Sequence, residues 1–437
     1  MSDNTAEEFD AIVVGAGFAG LTAARELTQA GRRTVLLEAR NRIGGRVNTE
    51  SFAGERVETG GTYFNLRYQP LMVEEFARYG LQTYTAKTAP VFRTLVGGQL
   101  LTGASPVPIE EIPALERALY FVINASRRID VDRPWDEQDL EDLDIPFTKW
   151  IERLDLPVST YEYIMAWVTQ YAGNHPSKVS ALQIFGAHIA TIDHSPWQWF
   201  GGVSDSLVDG SQAYARALLD DSPGVDLRLS TPVARIEQDN NTVRVTTRDG
   251  KQFLAPAAVF ATPVNTWADV EFPGLSEEKA RMAVEKHIGG QVKVWLHARN
   301  VPKGLFCMSY QSAFKTIIYD RDAGDGRLLL AMAEQTEIDV HDKAALEREL
   351  QKFVPEAELI DVTFEDWNTD EWSQGTWIEC RPGQPTRLVP HLTKPEGRVF
   401  FAGADVSQRW LSWMVGAVDT GIKAANDLMV TVPVAAR

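Results

Sequence analysis

Cysteine is nearly absent. The 437-residue chain has two, Cys307 and Cys380, and no CxxC pair. That excludes a disulfide-stapled scaffold and a thiolate metal site, and it suits a reducing compartment. The seven histidines are scattered, with no HExxH, so no metal is expected. A G-x-S-x-G elbow is missing as well, which argues against an α/β-hydrolase. Cations are the minority charge: 43 Lys and Arg stand against 60 Asp and Glu, for a formal charge of -17. Phosphate binding needs clustered cations, so nucleic acid is not an expected partner. No apolar run reaches the roughly 18 residues of a membrane span. The opening "MSDNTAEEFD" is polar and acidic, unlike a secretory or transit peptide, and a cytoplasmic location is expected.

What is present is an ordinary globular composition, 44% hydrophobic and 24% charged. The length exceeds what one hydrophobic core usually supports, so two or three domains are expected.

The stretch "DAIVVGAGFAGLTAARELTQAGRRTVLLEAR" carries the strongest local signal. Ala11 to Val14 is a continuous apolar run of the kind a buried parallel strand shows. It leads into Gly15-x-Gly17-x-x-Gly20, followed by Leu21, Ala24 and Leu27 at helical spacing and a second apolar run ending in Glu38. This is a βαβ unit with an acid 23 residues after its first glycine. Gly15 permits the tight turn, Gly17 lets the backbone approach a pyrophosphate, and Gly20 allows close helix–strand packing. The unpaired N–H groups of the helix start, at Phe18 and Ala19, favour phosphate. Glu38, with Ala39 and Arg40 after it, is placed for the ribose, and its charge disfavours a 2′-phosphate.

The next segment, "RNRIGGRVNTESFAGERVETGGTYF", decides between dinucleotides. It holds Gly44-Gly45-Arg46 and Gly60-Gly61-Thr62. Paired glycines let backbone pass close to a flat or anionic ligand, and Arg46 is suited to a phosphate. Either pair alone could be a glycine-rich loop with no ligand, but both behind a βαβ unit are hard to explain that way.

Further along, Val225/Leu227/Leu229 and Val243/Val245, separated by "DNN" and "RDG" turns, read as a β-meander, and "AAVFATP" reads as a buried strand. Residues from 83 to 204 read as largely helical, and "QVKVWLHAR", "RLLLAMA" and "DVTFEDW" read as strands. The acidic run "DEQDLEDLD" reads as a solvated loop or helix start. Near the end, "RWLSWMVGAV" sets Trp410 and Trp413 before a small-residue helix. Tryptophan usually fills a core, which suits Trp410.

These motifs together resemble the flavin-dependent amine oxidases, the monoamine oxidase-like family. The glycine fingerprint, the "R-x-GGR" and "E-x-GG" loops and the closing segment "GRVFFAGADVSQRWLSWMVGAVDTG" carry the likeness over essentially the whole chain. Within the family, "QDLEDLDIP", "ATPVNTW" and "GADVS" look most like bacterial 6-hydroxynicotine oxidases. The resemblance implies an α/β fold: a Rossmann-type FAD-binding domain with a mixed α+β substrate domain. The FAD domain would be built from residues 1–82, 205–283 and 391–437, and the substrate domain from 83–204 and 284–390.

The resemblance also implies roles. Trp377 and Trp413 match two aromatic residues that form a cage at the flavin and hold the amine, partly by cation–π contact. Lys293 matches a lysine joined through a water to flavin N5, which aids the reaction with oxygen. Gln170 is a candidate hydrogen-bond partner for substrate, with a helix-surface amide as its other reading. Val233 would meet the adenine through its backbone, Gly403 and Asp405 would lie near the flavin chain, and Met414 and Val415 would approach the ring. Covalent members carry a cysteine where this chain has Thr376, so FAD should be non-covalent. The family acid before the last Gly-Ala is replaced by Val415, and Trp413 stands where tyrosine is commoner. "GGTYFNLRYQP" lacks the arginine-containing stretch of L-amino-acid oxidases, which disfavours a carboxylate substrate, although Arg67 is nearby.

The expected activity is oxidation of a small aromatic or heterocyclic amine, with O2 reduced to hydrogen peroxide. A flavin dehydrogenase or desaturase with another acceptor, an L-amino-acid oxidase and a non-catalytic FAD-binding module are the competing readings. The expected partners are an amine and O2, with a homodimer left open.

Overall fold

The run Ala11–Val14 is a strand with all four residues buried, and Thr34–Leu37 is another beside it. In this computed structural model, which describes residues 6–85, 91–195, 205–334 and 336–432, the two lie in a five-stranded parallel sheet. Its order is Asp226–Arg228, Thr34–Leu37, Ala11–Val14, Ala258–Phe260, Val399–Phe401. The extreme termini of the chain and the expected boundary at residue 204 lie outside the described residues.

The helix Phe18–Gln29 crosses between the first two strands and buries Leu21, Ala23, Ala24 and Leu27. Its approach to the strand depends on Gly20: a Cβ there would lie 1.8 Å from the Gly15 carbonyl oxygen. Gly15 itself turns with φ +99°, a conformation that L side chains rarely adopt. The closing helix Met414–Thr431 packs on the same layer, where Gly421 meets the Ala19 carbonyl.

The expected meander is corrected in one part. Val233–Gln238, Val243–Thr247 and Gln252–Ala255 do form consecutive antiparallel strands, with Glu7–Glu8 at the edge of their sheet. Asp226–Arg228, read as the first strand of that meander, instead pairs parallel to Thr34–Leu37. A three-residue alternation has the same look in either setting, and only its distant partner distinguishes them.

A second, seven-stranded sheet is built around Val292–Arg299, which lies between Gly326–Ala333 and Glu358–Phe364. Val91–Val96 and Gln99–Thr102 complete its far edge, so the segment 83–204 is not purely helical. The helices Ile112–Ser126 and Val158–Ala172 belong to the same segment. After them comes a six-residue π-helix, Ile184–Ile189, every residue of it buried. Such wide turns are rare and recur at functional sites. No helix of the described residues is long and apolar enough to cross a membrane.

Candidate active site

A single continuous cavity runs from the glycine turn at Gly15 to the inner face of the seven-stranded sheet. At its nucleotide end, Gly17 and Gly44 lie side by side in a parallel bridge, and the Gly44 N–H donates to the Ala16 carbonyl at 2.8 Å. The result is a face without side chains, beside the N-terminus of Phe18–Gln29, whose cap Gly17 supplies no side-chain hydrogen bond. Phosphate oxygens suit such a helix start.

Glu38 is 4% exposed, and its two carboxylate oxygens accept the backbone N–H groups of Ala16 (2.7 Å) and Arg40 (2.8 Å). Burial raises its pKa, and these two hydrogen bonds act against the rise. The acid therefore ties the end of the second strand to the glycine turn. Arg40 pairs with Asp370 and donates to Ser373. Arg46, expected at a phosphate, bridges Asp405 at 2.8 Å and the Thr376 carbonyl. It thus joins the first glycine-rich loop to the closing segment and to the loop before Trp377.

Gly15, Gly17, Phe18, Ala19, Glu38, Ala39 and Arg40 line the cavity, as do Gly44, Gly45, Arg46, Gly60, Gly61 and Thr62. Val233, Gly403 and Met414 line it too, together with Gln170, Lys293, Trp377 and Trp413. Three residues singled out from sequence are not on its wall. Gly20 serves packing, Asp405 sits behind Arg46 and accepts the Val264 N–H, and Val415 is buried in the core of the closing helix. Trp410 is also buried there.

The two tryptophans are fixed by their indole N–H groups. Trp377 donates to the Tyr171 carbonyl at 2.8 Å and Trp413 to the Ala187 carbonyl at 2.9 Å. The loop bearing Trp377 is held from behind: Thr376 N–H donates to the Gly289 carbonyl and Ile288 N–H to that of Glu379. Lys293 enters from the seven-stranded sheet, and its ammonium donates directly to the Gly60 carbonyl and to Thr62 Oγ1. Burial lowers its pKa to about 8, with the Glu58 carboxylate opposing. Ile318, Leu330 and Met332 make this end of the cavity apolar.

Sequence reasoning missed His188, Gln291 and Tyr171, which line the same end. His188 comes from the π-helix and stands 5.5 Å from Tyr171 and 6.3 Å from Trp413, ring to ring. Its Nε2 faces Glu379 Oε2 at 3.3 Å. Burial drives the pair toward neutrality, lowering the His188 pKa to about 3 and raising that of Glu379 well above the carboxylate range. Gln291 had a readable signal: it lies two residues before Lys293, and strand alternation puts such residues on one face.

The residues fit a flavin dinucleotide. The side-chain-free glycine face and helix start meet the needs of a pyrophosphate. Two buried hydroxyls on the wall, Thr262 Oγ1 and Thr376 Oγ1, have no partner within the protein and can serve a polar ring edge. Among the described residues no cluster of His, Cys, Asp and Glu could hold a metal ion.

A dinucleotide cleft that continues into an apolar chamber walled by tryptophan defines a flavoenzyme. The chain belongs to the flavin containing amine oxidoreductases, the family matched by residues 18–429, and is an FAD-dependent enzyme. It is 35% identical to (S)-6-hydroxynicotine oxidase of Paenarthrobacter nicotinovorans, covering 96% of this chain and 99% of the relative. It is 31% identical to a pseudooxynicotine dehydrogenase of a Pseudomonas species, covering 95% and 85%. In fold it is similar to cyclohexylamine oxidase from Brevibacterium oxydans IH-35A. The TM-score is 0.85, with 21% identity over 97% of this chain and 99% of the other. The architecture is that of a two-domain, monoamine oxidase-like protein.

Proposed function

We propose that this enzyme oxidises a small aromatic or heterocyclic amine to an imine, with O2 as the acceptor and hydrogen peroxide as the second product. The observation that carries the reading is the pair of tethered indoles, Trp377 and Trp413, on the wall of a cavity that Lys293 also lines. FAD, when bound, supplies the acceptor for the hydride equivalent leaving the amine's α-carbon. The protein's part is to orient and desolvate. Each indole is anchored at its N–H edge, so its face is free to hold the amine by cation–π contact, worth roughly 0.5–2 kcal/mol. Ile318, Leu330 and Met332 exclude water, which favours the neutral amine needed for the transfer. Lys293 supplies fixed positive charge where reduction of O2 develops negative charge. The imine then hydrolyses in water.

Non-covalent attachment of FAD is part of the proposal. Thr376 precedes Trp377, and the two free cysteines are buried and absent from the described cavity wall. Arg67 is exposed and stacks near Tyr68, away from the cavity wall, which favours an amine without a carboxylate. We assign FAD binding to residues 1–82, 205–283 and 391–437 and the substrate chamber chiefly to 83–204 and 284–390.

The dehydrogenase among the relatives supports a second reading, in which another acceptor replaces O2. A panel of amines screened by coupled peroxide detection separates the two. Peroxide released in step with amine consumption is the expected result. Consumption that requires an added dye or quinone and yields no peroxide favours the dehydrogenase.

A further inference from the structure

The nucleotide end of the cavity is walled partly by a segment from a distant part of the chain. Arg40, Thr231, Val233 and Arg248 line this end, and so do Trp367 and Trp372. The two tryptophans belong to residues 367–375, inside the stretch expected to build the substrate chamber. Tryptophan usually fills a core. Neither of these joins a hydrophobic cluster of the described residues, although Trp367 is only 5% exposed. Their rings meet guanidinium groups instead: Arg40 and Arg42 each lie 5.8 Å from Trp367, and Arg248 lies 4.5 Å from Trp372.

The segment has fixed feet and a charged crest. Trp367 donates its indole N–H to the Thr59 carbonyl at 3.0 Å, and the Gly375 N–H donates to the Trp367 carbonyl at 2.9 Å, so its two ends meet. Between them the chain turns on itself, the Ser373 and Gln374 N–H groups both donating to the Asp370 carbonyl. What ties this crest to the opposite wall is polar. Arg40 pairs with Asp370, Arg248 pairs with Glu371 at 2.5 Å, and Gln374 Nε2 donates to Asp269 Oδ2 at 2.5 Å. Arg248 and Glu371 are exposed, which makes that pair weak and easily screened, whereas Arg40 and Asp370 are largely buried. Asp370 and Glu371 themselves are off the described cavity wall.

We infer that residues 367–375 form a strap across the adenosine half of the FAD site, clasped by Arg40–Asp370 and Arg248–Glu371, which lifts for the cofactor to enter or leave. Apolar packing would make such a segment a permanent wall. Anchored feet with ionic clasps at the crest let it open while the rest of the fold stays in place. Closed, it sets Trp367 and Trp372 against the nucleotide end and holds Arg40 and Arg248 on the wall. The strap acts on the cofactor, so its role does not depend on which substrate the enzyme oxidises.

The test follows FAD exchange, not turnover. FAD-loaded protein is diluted and release is read from the rise in flavin fluorescence. The stripped protein is then mixed with excess FAD, and entry is read from quenching of tryptophan fluorescence. In the parent, release should accelerate with added NaCl, because screening loosens the clasps. Glu371→Gln should speed release about 2- to 5-fold at low salt and Asp370→Asn about 5- to 20-fold, with a smaller salt dependence in both. The asparagine keeps an acceptor for the Trp372 N–H, so the turn itself is preserved. Entry should speed up by a similar factor, leaving the dissociation constant within about threefold of the parent's. Faster entry is what a loosened strap gives and a damaged site does not. Asp325→Asn breaks an exposed pair with Arg299 off the described cavity wall and should change neither rate. Parental rates in both strap variants overturn the inference. So does faster release with unchanged entry, which marks a simple loss of affinity, and so does equal acceleration by Asp325→Asn. Should one strap variant fail to load FAD, the other variant and its salt dependence against the parent's still decide.

Discussion

Trp413 donates its indole N–H to the carbonyl of Ala187 at 2.9 Å, so the last helix of the chain is tied to the π-helix that presents His188. The bond fixes the ring's tilt through backbone that is fully buried. Trp413→Ala should slow anaerobic flavin reduction by about 100-fold, the cost of misplacing a reacting carbon by about 1 Å. FAD content should stay near that of the parent, because the glycine face and helix start are untouched. An unchanged reduction rate in a variant with full FAD content would return Trp413 to a packing role.

In the proposed reaction Lys293 should act on one half-reaction and not the other. Hydride transfer develops no anion beside it, whereas reduction of O2 does. Lys293→Met keeps an apolar stem of similar length and removes the charge. Reoxidation of the reduced enzyme by O2 should slow more than reduction by amine, as measured by stopped flow. Because burial brings the ammonium to about 8, the parent's reoxidation rate should also fall as pH rises through that value. The methionine variant should lose this pH dependence. Equal slowing of both half-reactions contradicts the assignment.

Attachment of FAD is tested by acid precipitation. With Thr376 before Trp377 and both cysteines buried, all yellow colour should enter the supernatant. Colour retained in the pellet would mean a covalent bond that the account does not contain.

Glu379 gives a stability prediction with a definite sign. Its folded pKa is raised well above 4.5, so the folded chain holds a proton that the unfolded chain has released. Stability from this group is fully present below about pH 4.5 and is lost as pH rises toward the folded pKa. Glu379→Gln removes that dependence and preserves a hydrogen bond to His188. Its melting temperature relative to the parent should therefore rise between pH 5 and pH 8, by ~2 °C or more. A relative fall over the same range would show an ionised pair with His188, since breaking a buried ion pair is costly at neutral pH.

The nucleotide end was legible because its signals are local. Ala11–Val14, the glycine turn, Phe18–Gln29 and Thr34–Leu37 follow one another within a single βαβ unit, and each has its own periodicity. The setting of Asp226–Arg228 is not legible because its partner, Thr34–Leu37, lies within the first forty residues of the chain, beyond any local pattern. Arg46 lines the cavity as expected, but its pairing with Asp405, 359 residues away, leaves no local sequence signal. The same distance problem hid His188 and Glu379, 191 residues apart, in stretches where one polar residue among apolar neighbours looks like a buried accident. Gln291 alone could have been found, by extending the face of Lys293 one step back along the strand.

The central claim is that one chamber both accepts electrons from an amine and passes them to oxygen. The direct measurement is anaerobic mixing of the FAD-loaded enzyme with a panel of aromatic and heterocyclic amines, followed by admission of O2. The account predicts bleaching of the flavin by at least one amine, then return of the oxidised spectrum with one peroxide released per flavin. Bleaching followed by reoxidation too slow to support turnover in air, restored only by an added quinone or dye, would contradict it.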